Sequence, residues 1–147
     1  MGVIKLISGK SVFIDTAPFI YFIEKSPDYL NVVEPIFRAA DNSDVRLFSS
    51  SLTLLELLVK PLRLKRYDLV DQYEHILTTS SSITMRNLDV NIARRSAEIR
   101  AKYNFKTPDS IQLATALSIS AELFITNDKQ LKIDEITTIT LDELKNM

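Results

Sequence analysis

Four carboxylates lie among apolar residues, where a solvated acid is not expected. Asp15 and Asp128 each follow a short apolar run, whereas Glu56 and Asp109 lie within apolar helical stretches. Because burying a lone carboxylate is costly, we expect such groups to be paired, protonated or bound to a metal. Carboxylates without histidine or cysteine are ligands for hard cations such as Mg²⁺ or Mn²⁺. Sites of this kind commonly serve phosphoryl chemistry, in which cations orient the reacting oxygens and lower the pKa of the attacking water.

Each acid also has a purely structural interpretation. Asp15 could cap a following helix, and Glu56 could pair with Lys60 one turn further along an exposed face. Asp109 could complement the dipole of its helix, and Asp128 could be a turn residue. The functional interpretation is favoured by the joint placement of at least two of these acids, and we expect three, at the same edge of one predicted sheet.

The composition excludes several other chemistries. The chain has 147 residues with one His, two Gly and no Cys. The lack of Cys excludes thiolate metal sites and cysteine nucleophiles, and two glycines cannot form a P-loop or a dinucleotide-binding loop. A formal net charge of −1 gives no overall attraction for nucleic acid, so any such binding has to be local.

The length and the hydropathy pattern predict one domain that spans residues 1–147. No apolar segment is long enough to span a membrane, and the N-terminus has no secretory signal pattern. We therefore expect a soluble, cytoplasmic protein without a membrane partner.

Short apolar runs alternate with helical patterns along the chain. The runs predict five strands: Ser11–Asp15, Val45–Phe48, Ile83–Leu88, Leu123–Thr126 and Ile136–Ile139. In the first half of the chain, helices are predicted from Pro18 to Lys25, from a cap at Ser26–Asp28 through Phe37, and from Ser51 to Val59, where Pro61 interrupts the helix. In the second half, they are predicted from Tyr67 to Leu77, from a cap at Asp89 to Tyr103, from Thr107 onwards and from Leu141 to Lys145. This alternation predicts an α/β protein with three layers, α/β/α, around a central parallel sheet. Functional groups in such sheets gather at the carboxyl ends of the strands, where Asp15 and Asp128 are expected.

These residues resemble those of the PIN-domain nucleases, and among them the toxin component of VapBC-type toxin–antitoxin pairs. The resemblance lies in four segments, in the same order and at similar spacing: Val12–Thr16, Leu54–Leu57, Thr107–Ala116 and Phe124–Lys129. It covers nearly the whole chain except Met1–Lys10, for which we expect a short additional strand.

The resemblance implies a metal-dependent endoribonuclease that uses Mg²⁺ or Mn²⁺ to cleave RNA. It also implies a homodimer and a cognate antitoxin protein that covers the site. In this sequence Asp15 and Asp109 would be the principal metal ligands, and Glu56 and Asp128 would complete the cluster. The residues expected to line the pocket are Thr16, Thr126 and Asn127.

Two basic groups are candidates for contacts with an RNA backbone. One comprises Lys60, Arg63, Lys65 and Arg66, and the other comprises Arg94, Arg95 and Lys102. A solvated helix face with local ion pairs is the alternative interpretation of both. The apolar helix Phe19–Ile23 is a candidate dimer face.

Two alternatives stay open at this stage, and a third is disfavoured. A PIN-like nuclease could act in RNA processing or on DNA, and a silent PIN-like module could bind a partner and regulate. A haloacid-dehalogenase-like phosphotransfer site would need a second Asp two residues after Asp15, and Ala17 occupies that position.

Overall fold

A computed structural model describes residues 2–147 of the chain. Its centre is a five-stranded parallel sheet with the strand order β3-β2-β1-β4-β5. The strands are β1 (Ser11–Ile14), β2 (Arg46–Ser50), β3 (Ile83–Arg86), β4 (Leu123–Thr126) and β5 (Thr137–Thr140). The chain therefore builds outwards from β1 in one direction and then crosses back to add β4 and β5 on the other side.

Helices connect the strands and cover the sheet. They are α1 (Gly2–Ile7), α2 (Thr16–Ile23), α3 (Leu30–Asp41), α4 (Ser51–Arg63), α5 (Tyr67–Glu74), α6 (Val90–Tyr103), α7 (Thr107–Ser118) and α8 (Leu141–Lys145). A π-helical turn, His75–Thr79, continues α5. None of the helices in residues 2–147 has the length and apolar character needed to cross a membrane.

Alternate residues of β1 divide the core into two parts, one on each face of the sheet. Val12 and Ile14 belong to one apolar cluster, which includes α3. Phe13 belongs to the other, in which it stacks on Phe124 with a ring separation of 5.4 Å. Residues at successive positions of a strand point to opposite faces, so a strand buried on both faces is apolar throughout. The predicted three-layer α/β/α fold is confirmed.

The first segment of the chain corrects one expectation. Gly2–Ile7 forms a helix, not an additional strand, and Met1 lies outside the described residues. Ile7 is fully buried in the core cluster that also contains α3. Packing of one helical face against α3 therefore decides the conformation of this segment, and it leaves the sheet with five strands.

Two helix boundaries also differ from the prediction. Pro61 does not interrupt α4, because it lies in the last part of the helix, where the missing N–H costs a single hydrogen bond and the ring is buried. The helix α3 begins at Leu30 and not at the expected cap Ser26–Asp28. Its N-cap is Tyr29, whose ring stacks on Tyr21 at 4.6 Å.

Candidate functional site

The crevice between the ends of β1 and β4 is where the strand order reverses. Ligands of open α/β sheets bind at such switch points, outside the carboxyl ends of the strands. Asp15 follows β1 directly, and its backbone N–H donates to the Ile125 carbonyl of β4 at 2.9 Å. Thr126 ends β4 and is followed by Asn127 and Asp128. The fold thus brings the first and the fourth predicted acids to one edge of the sheet.

Asp15 has two structural roles at once. Its Oδ1 accepts from the backbone N–H of Thr16 at 2.8 Å and so caps α2. Its Oδ2 accepts from the Thr126 hydroxyl at 2.8 Å. Burial raises the pKa of the Asp15 carboxyl, and the charge of Glu56 adds to the rise; the hydrogen bonds from Thr126, Thr16 and Gln112 oppose it. The helix-cap interpretation of Asp15 is correct, and it does not exclude a role in a site.

Thr126 links Asp15 to Asp128. Its side chain is 1% exposed, and its hydroxyl oxygen accepts from the backbone N–H of Asp128 at 3.1 Å while donating to Asp15. Asp128 is exposed, and its Oδ1 accepts from the backbone N–H of Gln130 at 2.9 Å. The turn interpretation of Asp128 therefore holds as well, and the turn keeps the carboxylate at the rim of the crevice.

Asp109 reaches the same crevice from α7. It lies half-buried in the first turn of that helix. Burial raises the pKa of its carboxyl, the charges of Asp15 and Asp128 raise it further, and Lys106 lowers it. The charges of Asp15 and Asp128 therefore disfavour the ionised form of Asp109.

Glu56 approaches from α4 on the solvent side. The residue is exposed, although its neighbours in sequence are leucines, because the side chain lies on the outward face of an amphipathic helix. The Thr16 hydroxyl donates to Glu56 Oε1 at 2.7 Å. The ion pairs within residues 2–147 do not include the predicted pair with Lys60.

The acids are neighbours without forming a ready ligand cluster. Within residues 2–147, no three acidic or histidine side chains are placed closely enough to hold a metal together. Three of the carboxylates, Asp15, Glu56 and Asp128, are instead oriented by their own hydrogen bonds. The side chain of Asn127, the third predicted lining residue, turns towards α2, where its Nδ2 donates to the Tyr21 hydroxyl at 2.8 Å.

Sequence reasoning missed a buried polar group beneath the crevice. Gln112 of α7 is 1% exposed and donates to the Thr53 hydroxyl of α4 at 2.6 Å. Ser50, which caps α4, donates to Gln112 Oε1. A polar residue on the buried part of a largely apolar helix, one turn after Asp109, is the signal in the sequence that could have identified it.

The first basic group lies along and beyond α4. Lys60 and Arg63 are on the same helix as Glu56, one and two turns further on. Both are exposed. Arg66 makes a two-pronged ion pair with Asp68, with contacts of 2.9 and 3.0 Å. Its charge is therefore partly compensated within the chain.

Two aromatic residues of the predicted dimer face Phe19–Ile23 pack within their own chain. Phe19 is fully buried and packs on Phe37 of α3 at 5.4 Å, and Phe22 stacks on the same ring at 4.4 Å. This side of α2 is thus part of the core of its own chain.

A comparison with protein-family models decides the family. The model of the PIN domain matches residues 12–136, which include all four acids. The chain belongs to the PIN domain family. Proteins of this family are nucleases. No curated protein matches this PIN domain closely enough to be counted as a relative.

Solved structures support the fold of this PIN domain. A toxin–antitoxin complex from Klebsiella pneumoniae has 25% identity and a TM-score of 0.67, with 88% of this chain and 97% of that chain covered. DNA-bound VapBC from Salmonella typhimurium has 20% identity and a TM-score of 0.70, with 90% and 98% covered. A sarcin–ricin-loop-cleaving VapC toxin from Mycobacterium tuberculosis has 11% identity and a TM-score of 0.67, with 82% and 92% covered.

Proposed function

We propose that this PIN domain is an endoribonuclease that cleaves RNA with Mg²⁺ or Mn²⁺ held by Asp15, Glu56, Asp109 and Asp128. The observation that carries the proposal is the convergence of acids at the switch point of the sheet. Burial raises the pKa of Asp15 and of Asp109; the charge of Glu56 adds to the rise at Asp15, and the charges of Asp15 and Asp128 add to it at Asp109. Carboxylates in such an arrangement are held at a cost to the folded chain, and that cost points to a functional site.

The donor set fits a hard divalent cation. All its atoms are oxygens, as Mg²⁺ and Mn²⁺ prefer. A nearby positive charge favours the ionised carboxylate, so a bound cation would offset the repulsion at Asp15 and Asp109. The chemistry that the cation supplies when bound is polarisation of the scissile phosphate and activation of a water molecule.

The chain's own residues would orient the reacting groups. The Thr126 hydroxyl fixes Asp15 Oδ2, and the Thr16 hydroxyl fixes Glu56 Oε1. With Oε1 accepting from Thr16, Glu56 would present Oε2 to the cation. Asn127, whose side chain is held by Tyr21, would line the crevice beside the fourth acid.

The metal requirement is tested with the purified chain and a panel of single-stranded and structured RNAs. We expect cleavage with Mn²⁺ or Mg²⁺ that stops in excess chelator, and loss of cleavage in Asp15→Asn and Asp109→Asn. Asp28→Asn, which changes an exposed acid in the turn before α3, serves as the control and should cut normally. Undiminished cutting in chelator would overturn the metal mechanism. Cutting of DNA but not RNA would overturn the substrate assignment.

The basic residues of α4 and the following loop are proposed as contacts with the RNA backbone. They are Lys60, Arg63, Lys65 and Arg66. Each phosphate contact on a single strand contributes a slope of about 0.7 to the dependence of log affinity on log salt concentration. Lys60→Gln with Arg63→Gln should therefore weaken RNA binding and reduce that slope by about 1.4. The double variant Arg94→Gln with Arg95→Gln, on α6, tests the second basic group in the same way.

We also propose that the chain is the toxin of a toxin–antitoxin pair, with a cognate antitoxin as partner. Of the solved structures with this fold, one is a toxin–antitoxin complex and another is VapBC bound to DNA. The test is growth of cells that express the chain, with and without the product of an adjoining short gene. Arrest of growth that this product relieves is the expected result, and growth unaffected by the chain would contradict the proposal.

A homodimer is proposed on the resemblance and on an exposed apolar stripe of α4. Leu55, Val59 and Leu62 are 60%, 43% and 47% exposed and lie on one face of that helix. Exposed apolar patches mark interaction sites. Light scattering should give twice the chain mass of 16.7 kDa, and Leu55→Glu should halve it. A mass of 16.7 kDa for the unchanged chain at micromolar concentration would contradict the dimer.

A further inference from the structure

Gln112 is a fully buried amide that contacts three elements of the fold. It lies in α7, one turn after Asp109, and is 1% exposed. Its Nε2 donates to the Thr53 hydroxyl of α4 at 2.6 Å. The same nitrogen lies 3.4 Å from Asp15 Oδ1 and 3.4 Å from the Thr16 hydroxyl, both at the start of α2.

The hydrogen bonds around Gln112 fix which way its amide faces. Ser50 uses its one hydroxyl hydrogen to donate to Gln112 Oε1. The Thr53 hydroxyl, which lies 3.4 Å from Ser50 Oγ, is therefore the donor of the hydrogen bond between the Thr53 and Ser50 hydroxyls. One N–H of Gln112 completes this ring by donating to Thr53. An amide nitrogen carries two hydrogens, and the second is directed at the pair formed by Asp15 and Thr16. A reversed amide would place its oxygen against a carboxylate, where both groups can only accept.

This arrangement connects Gln112 to two of the four acids. It donates to Asp15 directly. The Thr16 hydroxyl accepts from Gln112 and in turn donates to Glu56 Oε1 at 2.7 Å. The hydrogen-bond network therefore extends from Gln112 to Glu56.

We propose that Gln112 is a positioning residue of the carboxylate site, which holds Asp15, and through Thr16 also Glu56, in the orientation that receives the cation. This inference rests on the proposed function. A side chain that only filled space at this place would be apolar, since a buried amide is favourable only when its donors and acceptor are used. Partners that orient metal ligands typically contribute 10- to 100-fold to metal affinity.

The experiment measures Mn²⁺ binding by electron paramagnetic resonance on the metal-free chain. Gln112→Met keeps the length of the side chain and removes both its donor and its acceptor. Gln112→Asn keeps the amide but shortens its reach, and it serves if Gln112→Met does not fold. The matched surface control is Gln72→Met, an exposed position of α5. The core control is Ile99→Val, which removes one buried methyl group of α6 and no hydrogen bond.

We expect the dissociation constant for Mn²⁺ to rise 10- to 100-fold in Gln112→Met and in Gln112→Asn. Both controls should bind as the parent does. In the RNA assay kcat should fall by a similar factor while KM stays within twofold, because Gln112 orients ligands and does not contact RNA. A folded Gln112 variant that binds Mn²⁺ within threefold of the parent overturns the inference. The inference is also overturned if Ile99→Val loses as much Mn²⁺ affinity as the Gln112 variants at an equal loss of melting temperature. A parent chain that binds no Mn²⁺ and cuts no RNA overturns the proposed function itself, and the two failures are therefore distinguishable.

Discussion

Asp109→Asn in the metal-free chain separates a carboxylate site from a simple helix cap. Burial raises the pKa of Asp109, and the charges of Asp15 and Asp128 raise it further. The pKa of such a carboxyl is higher in the folded chain than in the unfolded chain. At a pH below the unfolded pKa the protonated carboxyl therefore contributes to the stability of the fold, and this contribution is lost as the pH rises through the raised pKa of the folded chain. At pH 7 the neutral asparagine removes that penalty without a change of size.

Two effects of opposite sign determine the magnitude. Each unit by which folding raises the pKa corresponds to about 1.4 kcal/mol, and removal of a negative charge from the first turn of α7 costs about 0.3–1 kcal/mol. Because Asp109 is only half-buried, solvent screens part of the repulsion, and we expect the free energy of unfolding to stay unchanged or to increase by less than about 1 kcal/mol. For a chain of this length about 1 kcal/mol corresponds to a shift of about 2–4 °C in Tm.

The assay is thermal and urea unfolding in chelator, for the parent, Asp109→Asn and the exposed control Asp28→Asn. The advantage of Asp109→Asn should shrink as pH falls from 7 towards 4, because the parent carboxyl then becomes protonated and loses its penalty. The same variant should have no RNA cleavage in Mn²⁺, since a proposed ligand is gone.

The opposite pair of results would refute the reasoning. If Asp109 only complements the helix dipole, Asp109→Asn should lose about 0.3–1 kcal/mol while cleavage survives. A destabilised variant with intact cleavage would mean that the site lies elsewhere in the chain. Asp15→Asn tests cleavage alone, because an amide nitrogen in place of Oδ2 cannot accept the hydrogen bond that the Thr126 hydroxyl donates to Asp15.

Three further predictions concern stability and the local hydrogen bonds. Thr126→Val removes the hydroxyl that donates to Asp15 and accepts from the Asp128 backbone. Urea unfolding at pH 7 should show a loss of about 1–3 kcal/mol in the free energy of unfolding. A change below about 0.5 kcal/mol would contradict the importance of these bonds. Ser120→Gly should stabilise the chain by about 0.5–1 kcal/mol, because Ser120 has a φ of 54°, which costs a side-chain-bearing residue energy. The matched change Ser118→Gly, inside the last turn of α7, should instead destabilise it by about 0.5 kcal/mol. Equal effects at the two serines would show that backbone conformation is not the cause.

Local patterns in the sequence were sufficient for the strands and for the position of two acids. A strand buried on both faces is apolar at every position, so runs such as Ser11–Ile14 and Leu123–Thr126 are recognisable without a structure. An acid that follows such a run must lie at the carboxyl edge of a parallel sheet, which locates Asp15 and Asp128. The family could be suggested from the sequence because its four motifs keep their order along the chain.

Tertiary packing decided what the sequence left open. Gly2–Ile7 is a helix because Ile7 packs in the core with α3, and nothing within six residues indicates that contact. Phe19 is a core residue and Phe22 packs against the core because Phe37 of α3 lies against both rings. Glu56 is exposed because of the rotation of α4 against the sheet, and a leucine-rich sequence does not define that rotation.

The polar contacts of the site depend on residues that are far apart in the chain. Thr126 meets Asp15, and Gln112 meets Thr53 and Asp15, only because parallel crossovers bring β1, β4, α4 and α7 to one edge of the sheet. The sequence by itself determined which residue types could do metal chemistry and the order of the elements that carry them. The tertiary structure decided which of those residues touch, because hydrogen bonds depend on distances of a few tenths of an ångström that no local pattern encodes.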